Sequence, residues 1–526
     1  MKMQTARRRN GAIGAAFFKP LKTVFVASAL VLVASGARAE EAAPAPAIPV
    51  EVTDLIDQHF IDYQAEQHVP GLVWGIVKDG ELVYFKASGI ANMETDKPVS
   101  EDSLFSIASM SKAFTALAIL KLRDEGKLYL DAPAEYYVPE LRGWTYPTTD
   151  APRIRVRDLL AHVSGLVTDN PWGDRQQDMP EETFLEVLKE GVPFSRAPQT
   201  AYEYSNFGYA LLGQIVTNVS GMPFDEYIRT EIMLPLGMTS TGYDVYAADR
   251  DRRALGYRWE EGAYSDEPAL GPGVFGAMGG VMTNASDYEK WVAFLLDAWP
   301  PRDGPETGPV KRSSVRELSE GLNFPRIYKW DGLEGTEPCH VALTYAMGFS
   351  RNAECDLGFT LTHSGGYPGY GSNVLLMPDA GVGIFSFANR TYAAPSRIVR
   401  VAALELARAG ELEPRSWPVS DALADAYAVA GEVYEQGTLE PATGKLAMNF
   451  LLDASIPVRE RALADLKEQA GTCDTAAPIK PTGDLSGTFT WTCEKGQFNG
   501  WLLLAPTHTP QIQELDLTFI EPAEAP

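Results

Sequence analysis

The chain has 526 residues, 45% of them hydrophobic, and a formal net charge of −25. That length supports a large core and more than one domain. The first 39 residues hold seven Lys or Arg and no acid; taking those seven from 45 leaves 38 basic against 70 acidic side chains. So negative a balance excludes nucleic acid and an anionic membrane surface as partners.

In chain order, the basic N-terminus ends at Lys22, and an apolar run, VFVASALVLVA, follows over 24–34. Ala37-Arg38-Ala39 then forms an A-x-A site. The pattern predicts a secretory signal peptide over residues 1–39 and a periplasmic or secreted protein. The run is too short to cross a bilayer, so no membrane span is expected after cleavage. EEAAPAPAIP, residues 40–49, reads as a flexible linker.

From Val50 the patterning is regular. GLVWGIVKDGELVYFKASGIA, residues 71–91, is two strand-like runs split by Asp79-Gly80, a hairpin signal. A helix is predicted from about Ser109 to Asp124, closed by Gly126. Residues 156–166 read as a short helix ending in a turn, and 207–220 as a longer one. Residues 285–297 form another helix, capped by Asn284 or Ser286. The Pro/Gly-rich stretch 299–340 reads as irregular. Strands are expected at 357–364, 372–377 and 381–388, with a helix at 396–408. Strands from the two ends can share one antiparallel sheet with helices on its faces, an α/β (α+β) sandwich over residues 50–410. Beyond Gly410 the composition shifts. Helices at 418–436 and 456–470, then short strands over 483–519, predict a small C-terminal α+β domain, residues 411–526.

The cysteines, Cys339, Cys355, Cys473 and Cys493, are even in number and suit an oxidising compartment. Three connectivities are open, the simplest being 339–355 with 473–493. No C-x-x-C occurs and the six His are scattered, so no metal site is expected.

Three short motifs carry chemistry. Ser109-Met110-Ser111-Lys112 sits in an otherwise uncharged helix, and i, i+3 spacing puts Ser109 and Lys112 on one face. A serine needs a base to become a nucleophile, and a desolvated lysine can be that base. Tyr204-Ser205-Asn206 lies just ahead of a helix. It offers a phenol for proton transfer and an amide for binding, although Ser205 or Asn206 can equally be a helix cap. His363-Ser364-Gly365-Gly366 ends a strand, where glycine lets a substrate backbone lie close and leaves an N–H free for an oxyanion.

In this order and spacing the three motifs resemble those of the penicillin-recognising serine hydrolases of the class C β-lactamase type. That family includes D-Ala-D-Ala carboxypeptidases, D-aminopeptidases and family VIII esterases, and it carries S-x-x-K and K-T-G elements. LLAHVSGL (159–166) and AMGGVMTNASDYEKW (277–291) are similar to further segments of the family. The resemblance covers roughly residues 50–410. It implies a β-lactamase/transpeptidase-like fold with an all-helical subdomain and no cofactor. By position it implies Ser109 as the nucleophile, with Lys112 and Tyr204 sharing its proton. It implies Asn206 on the substrate amide and the N–H groups of Ser109 and Gly366 as an oxyanion hole, with Gly365 and Gly366 beside the substrate. His363 stands where many members carry the Lys of K-T-G.

That departure matters because a lysine is a permanent cation for a penicillin carboxylate, whereas a histidine is often neutral at pH 7. The expected activity is therefore esterase or peptidase, on a small-molecule or peptide substrate, with β-lactamase activity weak or absent. Two alternatives are a covalent penicillin-binding sensor with slow deacylation and a non-catalytic scaffold. His162 reads as part of a structural turn. Trp172, Tyr243, Tyr257, Trp259 and Tyr264 either line an acyl pocket or pack.

Overall fold

The run GLVWGIVK is apolar at almost every position, which a strand tolerates only when both of its faces are covered. In the computed structural model this run is the strand β1 (Gly71–Lys78), buried along nearly its whole length. The structure describes residues 48–321, 323–330 and 338–521; the expected signal peptide and most of the expected linker lie outside the described residues.

β1 is an interior strand, third from one edge, of a nine-stranded antiparallel sheet. The other strands are β2 (Glu81–Asn92), β3 (Lys97–Pro98), β4 (Arg326–Trp330), β5 (Cys339–Tyr345), β6 (Ser350–Glu354), β7 (Gly358–Tyr367), β8 (Tyr370–Met377) and β9 (Val382–Ala388). Their spatial order is β3-β2-β1-β9-β8-β7-β6-β5-β4. The pairing of β1 with β9 joins the two ends of this region, as the sequence predicts.

Alternate residues point to opposite faces. Leu72, Trp74, Ile76 and Ile384 pack with Ile56 and Phe60 of α1 (Val50–Glu66) and with Val399 and Leu406 of α5 (Ser396–Arg408). Val73, Val77, Phe385 and Phe387 face a larger core containing α2 (Lys112–Asp124), α3 (Asn206–Ser220) and α4 (Ala285–Leu296). Shorter helices, among them Val156–Leu160, Glu181–Glu190 and Phe224–Ile228, also lie in the helical region between β3 and β4. Phe114 of α2 stacks on Trp291 of α4 with ring centroids 3.9 Å apart. Asn284 is the cap of α4, its Oδ1 accepting from the Asp287 N–H at 3.0 Å, while Ser286 donates to Glu101.

Two elements depart from the sequence reading. α1 is largely polar, so its narrow buried stripe of Ile56 and Phe60 gives little periodic signal. The stretch 299–340, expected to be irregular, contains a helix at Arg312–Glu317, the edge strand β4 and the start of β5. β4 pairs with β5 alone among the described strands and exposes Ile327, so burial imposes no apolar alternation on it.

Both local disulfides form. Cys339–Cys355 ties the start of β5 to the residue after β6, and Cys473–Cys493 closes a loop in the C-terminal region. That region has a core of its own, built on Trp491, Phe498, Leu502 and Tyr434. Its helices include α6 (Asp421–Gln436) and α7 (Ile456–Ala470), which pack against a four-stranded antiparallel meander of β10 (Lys480–Gly483), β11 (Ser486–Cys493), β12 (Gly496–Leu504) and β13 (Ile512–Ile520). Lys78–Glu411 and the Arg415 N–H to the Asp379 carbonyl tie the connecting segment to the main sheet.

Gly371 lies where β8 meets the loop after β9, and a Cβ there would collide with the Ala393 carbonyl oxygen. Gly371→Ala is expected to cost about 1–3 kcal/mol. The check is a lower urea midpoint at unchanged slope.

Candidate active site

Residues Phe105–Ser106 pair with Met282–Thr283, and the Ile107 N–H continues that contact to the Val281 carbonyl at 2.9 Å. The chain then turns sharply. Ala108 adopts φ 48°, and Ala108–Ser111 form one 3-10 turn before α2 begins at Lys112. The helix expected from Ser109 is thus a tight turn followed by a helix. A left-handed alanine costs roughly 1–2 kcal/mol. The strain is held by the Ser111 hydroxyl, which donates to the Ala108 carbonyl at 2.7 Å and accepts from the Val281 N–H at 2.9 Å. Ser372 Oγ also donates to the Ile107 carbonyl at 2.8 Å. The result fixes Ser109 at the base of a cleft.

Lys112 is fully buried. Its Nζ donates to Ser109 Oγ at 3.1 Å, to Asn206 Oδ1 at 2.8 Å and to the Met278 carbonyl at 2.9 Å. It also lies 4.8 Å from the Tyr204 ring centre. Burial pulls the ammonium down from its ordinary 10.5 to about 7, against the upward pull of Asp174 and then Asp169. A base with this poise, next to a hydroxyl, can take its proton.

Tyr204 is held just before α3, and Ser205 caps that helix by accepting from the Gly208 N–H at 3.2 Å. Burial raises the Tyr204 phenol well above its ordinary value, against a hydrogen bond with Ser109, so it stays protonated. Asn206 is buried behind the cleft. Its Oδ1 is taken by Lys112, and its Nδ2 donates to Asn170 Oδ1 at 2.9 Å and, at 3.4 Å, to Asp174 Oδ1. The amide that the resemblance aims at the substrate is thus engaged with protein groups.

Two carboxylates at this site gave no signal in the sequence. Asp169 receives the Asn206 and Phe207 N–H groups at 2.7 and 2.8 Å, anchoring the start of α3. Asp174 accepts from the Tyr392 hydroxyl at 3.1 Å. Burial raises Asp174 to about 6, with Lys112 opposing. No motif links these residues to Ser109, and they meet it only through folding of the 160–175 loop.

His363 lies on β7. Its Nε2 meets the Tyr345 hydroxyl at 3.1 Å and its Nδ1 meets the Ser364 carbonyl at 2.7 Å. Those contacts suit a neutral ring that donates from Nδ1 and accepts at Nε2. Burial, then the charge of Lys112, lowers it to about 3, so it carries no charge near pH 7. Gly365 faces the turn that carries Ser109, where a Cβ would strike the Ile107 carbonyl oxygen and Ser372 Oγ. Gly366 lines the cleft beside Tyr392. His162 is buried and neutral, its Nδ1 accepting from the Ser205 N–H at 3.1 Å, and it packs among Tyr204, Tyr209 and Tyr345.

The cleft measures about 400 Å³. Ser109, Tyr204, His363 and Gly366 line it, joined by Asp174 and the aromatic rings of Tyr202, Tyr345 and Tyr392. None of the five aromatics considered from the sequence lines it. Tyr257, Trp259 and Tyr264 pack on one another around a small hairpin. A separate cleft of about 440 Å³ near Arg229 and Asp244 is lined by Tyr243 but by none of Ser109, Lys112, Tyr204 and His363. The one cluster of potential metal ligands among the described residues is Cys339, Cys355 and Asp356, whose sulfurs are joined in a disulfide.

The chain is similar to known proteins in sequence and in fold. A family model described as Beta-lactamase matches residues 56–409. Protein flp of Staphylococcus aureus (strain MRSA252) is 29% identical over 343 residues, covering 64% of this chain and 62% of its own length. This chain therefore spans less than two thirds of that relative. Penicillin-binding protein 4 of Amycolatopsis lactamdurans is 28% identical over 296 residues, covering 53% of this chain and 76% of its own. The solved octameric penicillin-binding protein homologue from Pyrococcus abyssi shares the fold, with TM-score 0.54 and 22% identity over 89% of this chain and 98% of that one.

Gly365→Ala is expected to push the Ser109 turn outward, lowering turnover of an activated ester by roughly 10²-fold, the scale set by a misplacement of about 1 Å. Circular dichroism and steady-state kinetics on the purified variant separate that effect from unfolding.

Proposed function

This chain belongs to the Beta-lactamase family of penicillin-recognising serine hydrolases, and on that premise we propose that it cleaves an ester or amide bond through a Ser109 acyl-enzyme. The observation that carries this reading is the 3.1 Å contact between Lys112 Nζ and Ser109 Oγ, made by a fully buried lysine. In its neutral form Lys112 accepts the Ser109 proton as Oγ attacks the carbonyl carbon. The N–H groups of Ser109 and Gly366 are the proposed oxyanion donors. Tyr204, a phenol rather than a phenolate, passes its proton to the leaving alcohol or amine as the acyl bond to it breaks and takes in its place the proton held by Lys112, which becomes neutral again. Water then attacks the acyl-enzyme; neutral Lys112 takes one of its protons and delivers it to Ser109 Oγ as the acid is released. Asn206 holds Lys112 in place through its Oδ1.

Esterase or peptidase action is favoured over β-lactamase action. His363 is neutral in the place of a lysine, so the cleft offers a penicillin carboxylate no cation there. Sequence likeness to Penicillin-binding protein 4 supports a second reading, a covalent acceptor that deacylates slowly. A stoichiometric burst without turnover would mark it. The leader pattern and the two disulfides support a periplasmic or secreted location. No described helix is long and apolar enough to cross a membrane.

Intact mass after fluorophosphonate treatment should show one adduct on the wild type and none on Ser109→Ala, with p-nitrophenyl butyrate turnover lost in step. Equal labelling of both proteins would remove Ser109 as nucleophile and leave the scaffold reading. The pH dependence follows from Lys112. Its lowered pKa means that kcat/KM should climb as pH rises through neutrality, where the ammonium loses its proton. Lys112→Arg keeps the charge but cannot release a proton, and should lower kcat by roughly 10²–10⁴-fold at every accessible pH.

A further inference from the structure

Tyr392 lies in the loop between β9 and α5, and its backbone is strained. Its φ is 53°, a left-handed conformation that a bulky side chain rarely takes. Its neighbours hold it there. The Thr391 N–H donates to the Tyr257 carbonyl at 2.7 Å, and the Tyr392 N–H donates to the carbonyl of Tyr367, the last residue of β7, at 3.2 Å. Ala393 is buried and packs on Gly371. Burial does little to offset the strain, because Tyr392 is 44% exposed. Strain kept at a half-exposed position of a cleft points to a use for the side chain.

The ring crosses the cleft. Its Cδ1 edge lies on the sheet side, where a Cβ on Gly366 would come within 3.2 Å of it. Its hydroxyl donates to Asp174 Oδ2 at 3.1 Å. Asp174 follows the short helix Asn170–Gly173, on the helical side. One side chain thus links the two walls. The other rings of the cleft form a separate group. The Tyr345 ring centre lies 6.0 Å from that of Tyr202, 6.1 Å from Tyr204 and 5.7 Å from His363. Among the described residues, Tyr392 makes no ring contact with that group.

We infer that the Tyr392 ring is a specificity-determining barrier that ends the acyl side of the Ser109 cleft and sets the length of acyl chain it admits. The inference deepens the acyl-enzyme reading and rests on it. Tyr204 gives its proton to the leaving group, so that group departs on the side of the ring cluster. The acyl chain then runs the other way, toward Tyr392. The ring is fixed by a pinned backbone at one end and a hydrogen bond at the other, so moving it aside breaks that bond. Packed walls do not stretch to take extra methylenes.

The test measures kcat/KM for p-nitrophenyl butyrate and p-nitrophenyl octanoate with the wild type, Tyr392→Gly and Tyr392→Phe. Glycine suits the φ of this position, so Tyr392→Gly removes the ring without adding backbone strain. The wild type should disfavour octanoate by at least about tenfold, the low end of what one misfitting methylene costs. Tyr392→Gly should raise the octanoate-to-butyrate ratio by roughly tenfold or more. Tyr392→Phe keeps the ring and should stay near the wild-type ratio. The ratio is the readout, since a general loosening of the site changes both esters alike. A wild type that takes octanoate as well as butyrate would overturn the inference, even where Tyr392→Gly fails to fold. So would a Tyr392→Gly variant, folded by circular dichroism, with an unchanged ratio, or a Tyr392→Phe variant as permissive as Tyr392→Gly. No turnover of either ester together with no Ser109 adduct would instead defeat the acyl-enzyme reading and the inference with it.

Discussion

Burying the Lys112 ammonium is the constraint around which the site is arranged. Removing such a charge from water costs several kcal/mol unless partners replace the lost hydration. Here three acceptors do so, each from a different element: Ser109 from the turn, Asn206 from α3, and the Met278 carbonyl from the short helix Gly276–Gly279. One side chain thus ties the turn, the helical region and the segment leading to α4. Two buried carboxylates supply the balancing charge, and one of them also anchors the first turn of α3. Burial lowers the ammonium's pKa, and the carboxylates Asp174 and Asp169 offset only part of that shift.

The rest of the site is kept uncharged by burial. Tyr204 stays a phenol and His363 a neutral imidazole, so proton movement centres on Lys112. The Tyr345 hydroxyl holds His363 from one side and the Ser364 carbonyl from the other. His162, inside the family-like segment 159–166, is locked by the Ser205 N–H and aromatic rings. Its role is to hold the Tyr204 turn.

The sheet and the turn meet at a glycine. Gly365 lets β7 lie directly on the Ile107 carbonyl, so the nucleophile and the strand edge are placed by backbone packing. That contact explains why a strand near the end of this region and a turn near its start form one cleft. The disulfide Cys339–Cys355 closes the open end of β5 and β6, and β5 supplies Tyr345 at its other end.

The sequence by itself determined the elements with strong local signals. The hairpin around Asp79-Gly80, the helices at 207–220, 285–297 and 396–408, and the strands before and after Pro378 all follow from periodicity and turn residues. It also marked Ser109 and Lys112, through a lone charge in an apolar helix, and Tyr204 and His363, through the order and spacing of their motifs. Elements with weak periodicity, α1 and β4, were not legible, since one buries only a narrow stripe and the other lies at a sheet edge. Tertiary structure alone decided that Asn206 turns to Lys112, that Gly365 packs inward while Gly366 faces the cleft, and that Asp174 and Tyr392 join the site. Those outcomes depend on which lone pairs and surfaces remain after distant segments pack, and no spacing along the chain encodes that.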